Sequence, residues 1–542
     1  MLLRKFILWL LLLGFIAPTA LRAQGIDDRI AGMSLEEKVG QMMVISFYGT
    51  ELPADVAHLL QTWQPGGVVL LPSNLVDPEQ ITTLTNSIQQ TLVDAGTIPA
   101  FIMVDQEGGV ISRLQDGFTQ WPVPMLLTAT QNPDLAYRFG GSIAEELRAV
   151  GINMNLAPVA DLLTNPDNPI IGRRSFGTEA QLVAPMVAEV VEGLQAGEVL
   201  ATVKHFPGHG DTSTDSHVEL PIVPYQWEQL LSREIIPFQQ AINADVGAVM
   251  IGHLALPAIE PDETLPASLS PRVVTDLLRG ELGYEGIIIT DALDMDAIDL
   301  TFGSSEAARL AVLAGNDFIL LGAHVGIQQQ LAAMQTIVDS VRAGEISEAQ
   351  IDASVRRILL AKERFRLTEW QPLLPVLAEE RIHAEEHQAL ITTLFEEGIT
   401  LVRDGNALIP LQGTGLMIYP ATRPSLWEDC QVEGYRGMGI SLYPTEGEIA
   451  AAVSDASRAA TVVLFTQNLQ DNDPLRRLAQ QLPENRTVVV ALWSYDDLYF
   501  LPAVSTYLAT YSPLRQGQAP LCAILRGERP AQGILSAAIP YP

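Results

Sequence analysis

Residues 199–217 read VLATV-KHFPGHGDTSTDSH, and the way this stretch is divided decides the fold. Val199-Leu200-Ala201-Thr202-Val203 is a short apolar run of the kind that fills a buried strand. Pro207, Gly208 and Gly210 forbid a helix directly after it. A strand therefore delivers Lys204 and His205 at its carboxyl end, and a polar loop carries His209, Asp211, Asp215 and His217. On an extended segment, side chains two residues apart point the same way. Asp215 and His217 can thus meet, the carboxylate orienting the imidazole and raising its basicity. Histidine titrates near neutral pH, so such a pair can give and take a proton. A zinc site and a solvated turn are the alternatives. Two histidines four apart hold a metal from a helix, which Pro207 and Gly208 disfavour.

Outward from this window, strand-like and helix-like patterns alternate. Ser34-Leu35-Glu36-Glu37 is a capping box that opens a helix. Strands are predicted at 42–47, 67–71, 100–104, 153–157, 199–203, 248–251, 286–290 and 317–321. Helices are predicted at 54–62, 78–95, 133–150, 179–196, 224–243, 270–282 and 304–314. Eight strands, each followed by a helical pattern over roughly 300 residues, indicate a parallel sheet and fit a (β/α)8 barrel. An open doubly wound sheet is the rival, but no G-x-G-x-x-G follows the first strand. In a barrel the reactive groups lie just past the carboxyl ends of the strands. Asp105, Lys204, His205 and Asp291 all fall there.

A helical stripe of Ile351, Val355, Ile358 and Leu359 closes this domain near Arg366. Trp370 to Pro375 reads as a linker. Further strands at 398–402, 461–465, 487–492 and 507–511, with helices at 446–458 and 474–482, predict a second, smaller α/β sandwich. The expected layout is a signal peptide at 1–23, a barrel at 26–366, a linker at 367–384 and a sandwich domain at 385–542.

Composition narrows the function classes. With 32 Lys plus Arg against 64 Asp plus Glu, the net charge is −32, which disfavours nucleic acid and anionic membranes as partners. The 542-residue length suits two domains, since single cores stop growing near ~250–300 residues. Arg4 and Lys5, the apolar run from Phe6 to Ile16 and the small residues at Ala20 and Ala23 form a signal-peptide pattern. The run is shorter than the ~20 residues of a membrane span. A secreted protein with no span after cleavage is therefore expected. Cys430 and Cys522 are the only cysteines, and an oxidising compartment would let them pair if the fold brings them together.

The window at 204–217 resembles the signature of family 3 glycoside hydrolases, in the β-N-acetylhexosaminidase branch, where a KHFPGHG segment precedes an Asp-Ser-His dyad. The resemblance runs from about Ser34 into the C-terminal region, and two-domain members have a similar layout. It implies that Asp291, in the run Ile288-Ile289-Thr290-Asp291-Ala292-Leu293-Asp294-Met295, is a nucleophile that forms a covalent glycosyl-enzyme. Asp294 and Asp296 read as cap or surface groups. The acid/base is then His217, oriented by Asp215. Asp105 and Arg113, from Val104-Asp105-Gln106-Glu107-Gly108-Gly109 onward, together with Arg174, Lys204 and His205, match the family's sugar-binding positions. A purely structural salt bridge is the alternative role for Arg113 and Arg174. Val110 departs from the family, which often has a basic residue there; this bears on outer subsites. His209 and Asp211 are assigned to loop structure.

The activity implied is a retaining exo-β-N-acetylhexosaminidase acting on terminal N-acetylglucosamine of muropeptides or chitooligosaccharides, as a monomer, with no cofactor and no metal. A β-glucosidase or β-xylosidase of the same family, and a β-N-acetylglucosaminide phosphorylase, are the alternatives. A non-catalytic sugar-binding protein would lack the dyad or Asp291, and a metal hydrolase would lose activity on chelation.

Overall fold

Eight short strands are stacked in parallel in the first half of the chain: β1 (Met43–Ile45), β2 (Gly67–Val69), β3 (Phe101–Val104), β4 (Met154–Asn155), β5 (Leu200–Phe206), β6 (Ala248–Ile251), β7 (Ile287–Thr290) and β8 (Ile319–Leu320). This computed structural model describes residues 25–215, 219–223, 225–382 and 384–537. The sheet order is β8-β1-β2-β3-β4-β5-β6-β7. Its two edges meet: the Thr290 N–H donates to the Phe318 carbonyl at 3.1 Å and the Phe318 N–H to the Ile288 carbonyl at 3.0 Å. The result is a (β/α)8 barrel.

Each strand is nearly continuous in apolar residues because both of its faces are buried, one by the barrel interior and one by a helix. Val203, Val249, Ile288 and Ile289 are wholly out of water. Helices Ala54–Trp63, Pro78–Asp94, Pro133–Ala149, Ala180–Ala196, Ile235–Asn243, Arg272–Glu281, Ser304–Ala314 and Ile327–Arg342 form the outer ring. Some helix starts in this domain are chemically marked. Ser34 and Glu37 form the expected capping box, and the Asp77 carboxylate accepts from the Gln80 N–H. Removing such a cap costs about 1 kcal/mol. The helix predicted at 224–243 is broken into Trp227–Gln229, a π-helical turn at Leu230–Glu234 and Ile235–Asn243; Pro224 lies outside the described residues. Arg272–Glu281 is also wound as a π-helix.

A second sheet has six strands: β9 (Thr400–Asp404), β10 (Gly415–Pro420), β11 (Tyr435–Ile440), β12 (Thr461–Thr466), β13 (Thr487–Ala491) and β14 (Thr506–Ala509). The order is β9-β14-β13-β12-β10-β11, with only β9 antiparallel. β10 and β11 were not anticipated from the sequence, and glycines at 437 and 439 interrupt the pattern of β11. Gly437 is required by contact, since a Cβ there would lie 2.5 Å from the Trp427 ring. The predicted linker is strapped to the barrel: the Asn86 amide donates to the Leu373 carbonyl at 2.8 Å and accepts from its N–H at 3.0 Å. Cys430 and Cys522 are joined in a disulfide that ties the segment before β11 to the helix Gln518–Arg526. Among the described residues no helix is long and apolar enough to cross a membrane. The predicted signal peptide at 1–23 lies outside the described residues.

Candidate active site

The carboxyl ends of β3, β5 and β7 open into one cavity of about 620 Å³, lined by Asp105, Glu107, Arg113, Arg174, Lys204, His205, His209, Asp291 and Asp294 among others. Asp105 follows β3 directly. Asn155 of β4 then holds the next peptide, its Oδ1 accepting from the Gln106 N–H and its Nδ2 donating to the Gln106 carbonyl. This turns Glu107 inward.

Lys204 and His205 both face the cavity, although neighbours on a regular strand point to opposite faces. The β5–β6 register shifts between Val203 and Phe206, and the extra residue re-aims a side chain, as bulges do.

Four charges form a closed group. The Lys204 ammonium lies 2.6 Å from Asp105 and 2.7 Å from Glu107. Arg174 donates to both Glu107 oxygens, from Nε at 2.9 Å and Nη2 at 2.8 Å. Burial alone would push the Glu107 carboxyl up; Arg174 and Lys204 override it and hold the pKa at about 2. Burial would lower the Lys204 pKa, but Asp105 and Glu107 raise it above the ordinary value. Glu107, Lys204 and Arg174 thus stay charged together. The Asp105 side chain is 29% exposed on the cavity side, whereas that of Glu107 is 1% exposed. Arg174 lines the cavity and also forms the structural salt bridge that the sequence left open as its alternative role. Arg113 lines the cavity too, its backbone N–H fixed on the Gln106 side-chain oxygen at 2.8 Å.

Asp291 follows β7. Its backbone N–H donates to the Ile251 carbonyl, and its Oδ1 accepts from the Ala292 N–H at 2.8 Å. Burial raises this carboxyl's pKa, but His205, His253, the Ala292 N–H and Lys204 together hold it below the usual carboxylate range. An anion is thus kept ready in a water-poor site. His253 is fully buried and bridges Ser268 (2.7 Å) and the Ala292 carbonyl (2.9 Å), which fixes the turn that carries Asp291.

Sequence reasoning gave no role to Glu107, Asp161 or His253, and it placed His209 in loop structure and Asp294 among cap or surface groups. Asp161 is fully buried and accepts from His205 N, His205 Nδ1 and His209 N. His209 lines the cavity rather than serving the loop alone, and burial together with His205 lowers its pKa to about 4. Asp294 also lines the cavity while its Oδ2 accepts from the His324 N–H at 2.6 Å, so the expected cap or surface role is only part of its position. The available signal was the barrel rule itself, which points to polar residues just past every strand.

The loop after β5 is held by close approach. A Cβ at Gly210 would lie 1.6 Å from the Leu162 carbonyl oxygen, so only glycine fits. Asp215 is described, and its carbonyl accepts from the Glu219 N–H at 3.0 Å. His217 lies outside the described residues. Val110 is exposed and lines a second cavity of about 400 Å³ beside the first, with Arg173, Asn468, Asp471 and Asp496. Among the described residues no group of three or more His, Cys, Asp or Glu is placed to hold a metal ion.

Comparison with known proteins agrees with this geometry. The model of the glycosyl hydrolase family 3 N terminal domain matches residues 34–361. Beta-hexosaminidase A of Pseudoalteromonas piscicida is 33% identical over 334 residues, 58% of this chain and 56% of that protein, so the chain spans little more than half of that relative's length. A beta-N-acetylglucosaminidase/beta-glucosidase of Cellulomonas fimi is 28% identical over 559 residues, 95% of this chain and 96% of its own. The structure of a family 3 beta-N-acetylglucosaminidase from Paenibacillus sp. superposes with a TM-score of 0.82 at 36% identity, covering 93% of this chain and 99% of that one. With the family match extending over the whole barrel and its charged cavity, the chain belongs to glycosyl hydrolase family 3 and is a glycoside hydrolase.

Proposed function

We propose that the protein is a retaining, exo-acting β-N-acetylhexosaminidase that releases terminal β-linked N-acetylglucosamine from muropeptides or chitooligosaccharides outside the cytoplasm. The observation that carries this reading is that Asp291, partly buried and kept anionic, shares one cavity with the Lys204–Asp105–Glu107–Arg174 group. The relatives named for N-acetylglucosaminidase and hexosaminidase activity support the sugar.

Asp105 accepts hydrogen bonds from hydroxyls of the terminal sugar, and Lys204 and Arg113 donate to them. That fixes the anomeric carbon over Asp291, and holding reactants in place removes much of the entropic barrier. The Asp291 carboxylate attacks the anomeric carbon. The glycosidic C–O bond breaks, and His217, oriented by Asp215, passes a proton to the leaving oxygen. Water then attacks the same carbon while giving its proton to the His217 imidazole, and Asp291 leaves as a carboxylate. Two displacements retain the configuration. A neutral imidazole as base avoids repulsion by the anion at Asp291. The His217 role rests on the motif at 204–217.

The test is a panel of aryl β-glycosides with and without the 2-acetamido group, in buffers with and without phosphate. Preferential hydrolysis of the N-acetylglucosaminide is expected. Equal use of the glucoside favours the double activity named for the Cellulomonas fimi relative, and sugar 1-phosphate as the product favours phosphorolysis.

A further inference from the structure

We propose that Asp161 is a positioning residue for this site: one carboxylate oxygen locks the His205 ring as its Nδ1–H tautomer, with the Nε2 lone pair facing the sugar cavity, while the other oxygen pins the start of the loop at His209. The inference rests on the reading of the cavity as a glycoside-cleaving site.

The geometry is specific. Asp161 has no solvent exposure, and three donors converge on it. Oδ2 accepts from the His205 backbone N–H at 3.1 Å and lies 2.7 Å from His205 Nδ1. Oδ1 accepts from the His209 backbone N–H at 2.7 Å. An ionised carboxylate only accepts, so the proton between Asp161 and the ring belongs to Nδ1. Burial raises the Asp161 pKa, but His205 and His209 override it and leave it lowered, which keeps the carboxylate charged. At the other end of the ring, Nε2 lies 3.5 Å from Arg174 Nη2. A guanidinium has no acceptor, so a proton on Nε2 would set donor against donor. Both neighbours select the same tautomer, which is how the partner of one ring nitrogen fixes the other.

The consequence is a division of labour in the cavity. His205 accepts from a sugar hydroxyl, whereas Lys204 beside it only donates. Asp161 also joins two things that must agree in space. The ring that contacts the sugar and the loop that runs on to Asp215 and His217 hang from the two oxygens of one carboxylate. His205 and His209 pack edge to face, with ring centroids 6.0 Å apart, so a shift of one disturbs the other.

Asp161→Asn keeps the shape but replaces one acceptor with a donor. In one orientation the amide N–H₂ opposes the His209 N–H. In the other it opposes the His205 N–H and drives the ring proton to Nε2, against Arg174. Turnover of an aryl β-N-acetylglucosaminide should fall about 10–100-fold or more, taking the loss of an outer partner that orients a metal-bound imidazole as the lower guide. The fall should appear in kcat of enzyme shown to be folded by circular dichroism. A folded variant with wild-type kcat would overturn the proposal. The second readout needs no Asp161 variant and no substrate. In ¹⁵N-histidine-labelled wild-type enzyme, the His205 resonances, assigned by their loss in His205→Gln, should show a protonated Nδ1 and an unprotonated Nε2. A protonated Nε2 overturns the proposal and leaves the hydrolase reading standing. The expected tautomer in an enzyme inert toward every glycoside would overturn that reading instead.

Discussion

The Lys204 ammonium and the Glu107 carboxylate are 2.7 Å apart, with side chains 2% and 1% exposed, so the salt bridge lies wholly inside the barrel mouth. Breaking a buried pair by removing one partner leaves an uncompensated charge and costs about 3–5 kcal/mol. Glu107→Gln strands Arg174 and leaves Lys204 with Asp105 alone, and it should destabilise the barrel by about that much in urea denaturation, with loss of sugar binding. The pH dependence follows in sign. The Glu107 pKa is held at about 2, below its ordinary 4.5. Its contribution is therefore present above about 4.5 and lost as pH falls toward about 2. Wild-type enzyme should show this acid loss, and the Gln variant should lack that component.

Asp291→Asn keeps volume and hydrogen-bonding capacity but removes the attacking anion. Turnover of an aryl β-N-acetylglucosaminide should drop by about 10⁴-fold or more, with the thermal midpoint little changed. Because the Asp291 carboxyl is held below the usual range, wild-type kcat/KM should persist as pH falls past the ordinary aspartate value before its acid limb appears. An unchanged rate in the Asn variant would sink the nucleophile assignment.

Gly210→Ala tests the loop. The added Cβ meets backbone, 1.6 Å from Leu162 O and 2.5 Å from Leu162 C, so the chain itself must move. Overpacking of this kind costs about 1–3 kcal/mol, and a small displacement of reacting groups can cost about 100-fold in rate. A large fall in kcat with a modest fall in thermal stability is expected, read by steady-state kinetics beside calorimetry.

His387, on the helix Ala384–Gly398 that leads into β9, reaches across to the barrel helix Pro133–Ala149. It lies 2.9 Å from Glu146 and 3.3 Å from Glu145, with the Trp121 ring packed beside it and the Trp121 indole N–H donating to Glu146. Burial lowers the histidine's pKa, but Glu146 and Glu145 override it and raise it above 6.5. The pair's contribution is therefore complete below about 6.5 and is lost as pH rises through the raised value. Calorimetry across the neutral to weakly alkaline range should show the midpoint falling, and His387→Gln should flatten that slope.

Much of this architecture is legible in one dimension. A strand buried on both faces must be an unbroken apolar run, and so Val199-Leu200-Ala201-Thr202-Val203 and Gly286-Ile287-Ile288-Ile289-Thr290 announce themselves. The barrel rule then points to Asp105, Lys204, His205 and Asp291 as residues at one rim. Glycine-rich β11 stayed hidden, because its reason is a contact with Trp427 rather than a pattern.

Periodicity and turn chemistry are local, so the barrel's succession of strands and helices, the two-domain plan and the chemical kinds of residue at the strand ends can be read along the chain. The tertiary structure alone decided which charges meet. Lys204 and Asp105 are 99 residues apart in sequence, and the closing of the ring brings their side chains to 2.6 Å. Asp161 beneath His205, and Glu107 between Lys204 and Arg174, are likewise set by three-dimensional packing. A hydrogen bond or ion pair depends on distances of a few ångströms, and the spacing of residues along a chain does not encode those distances.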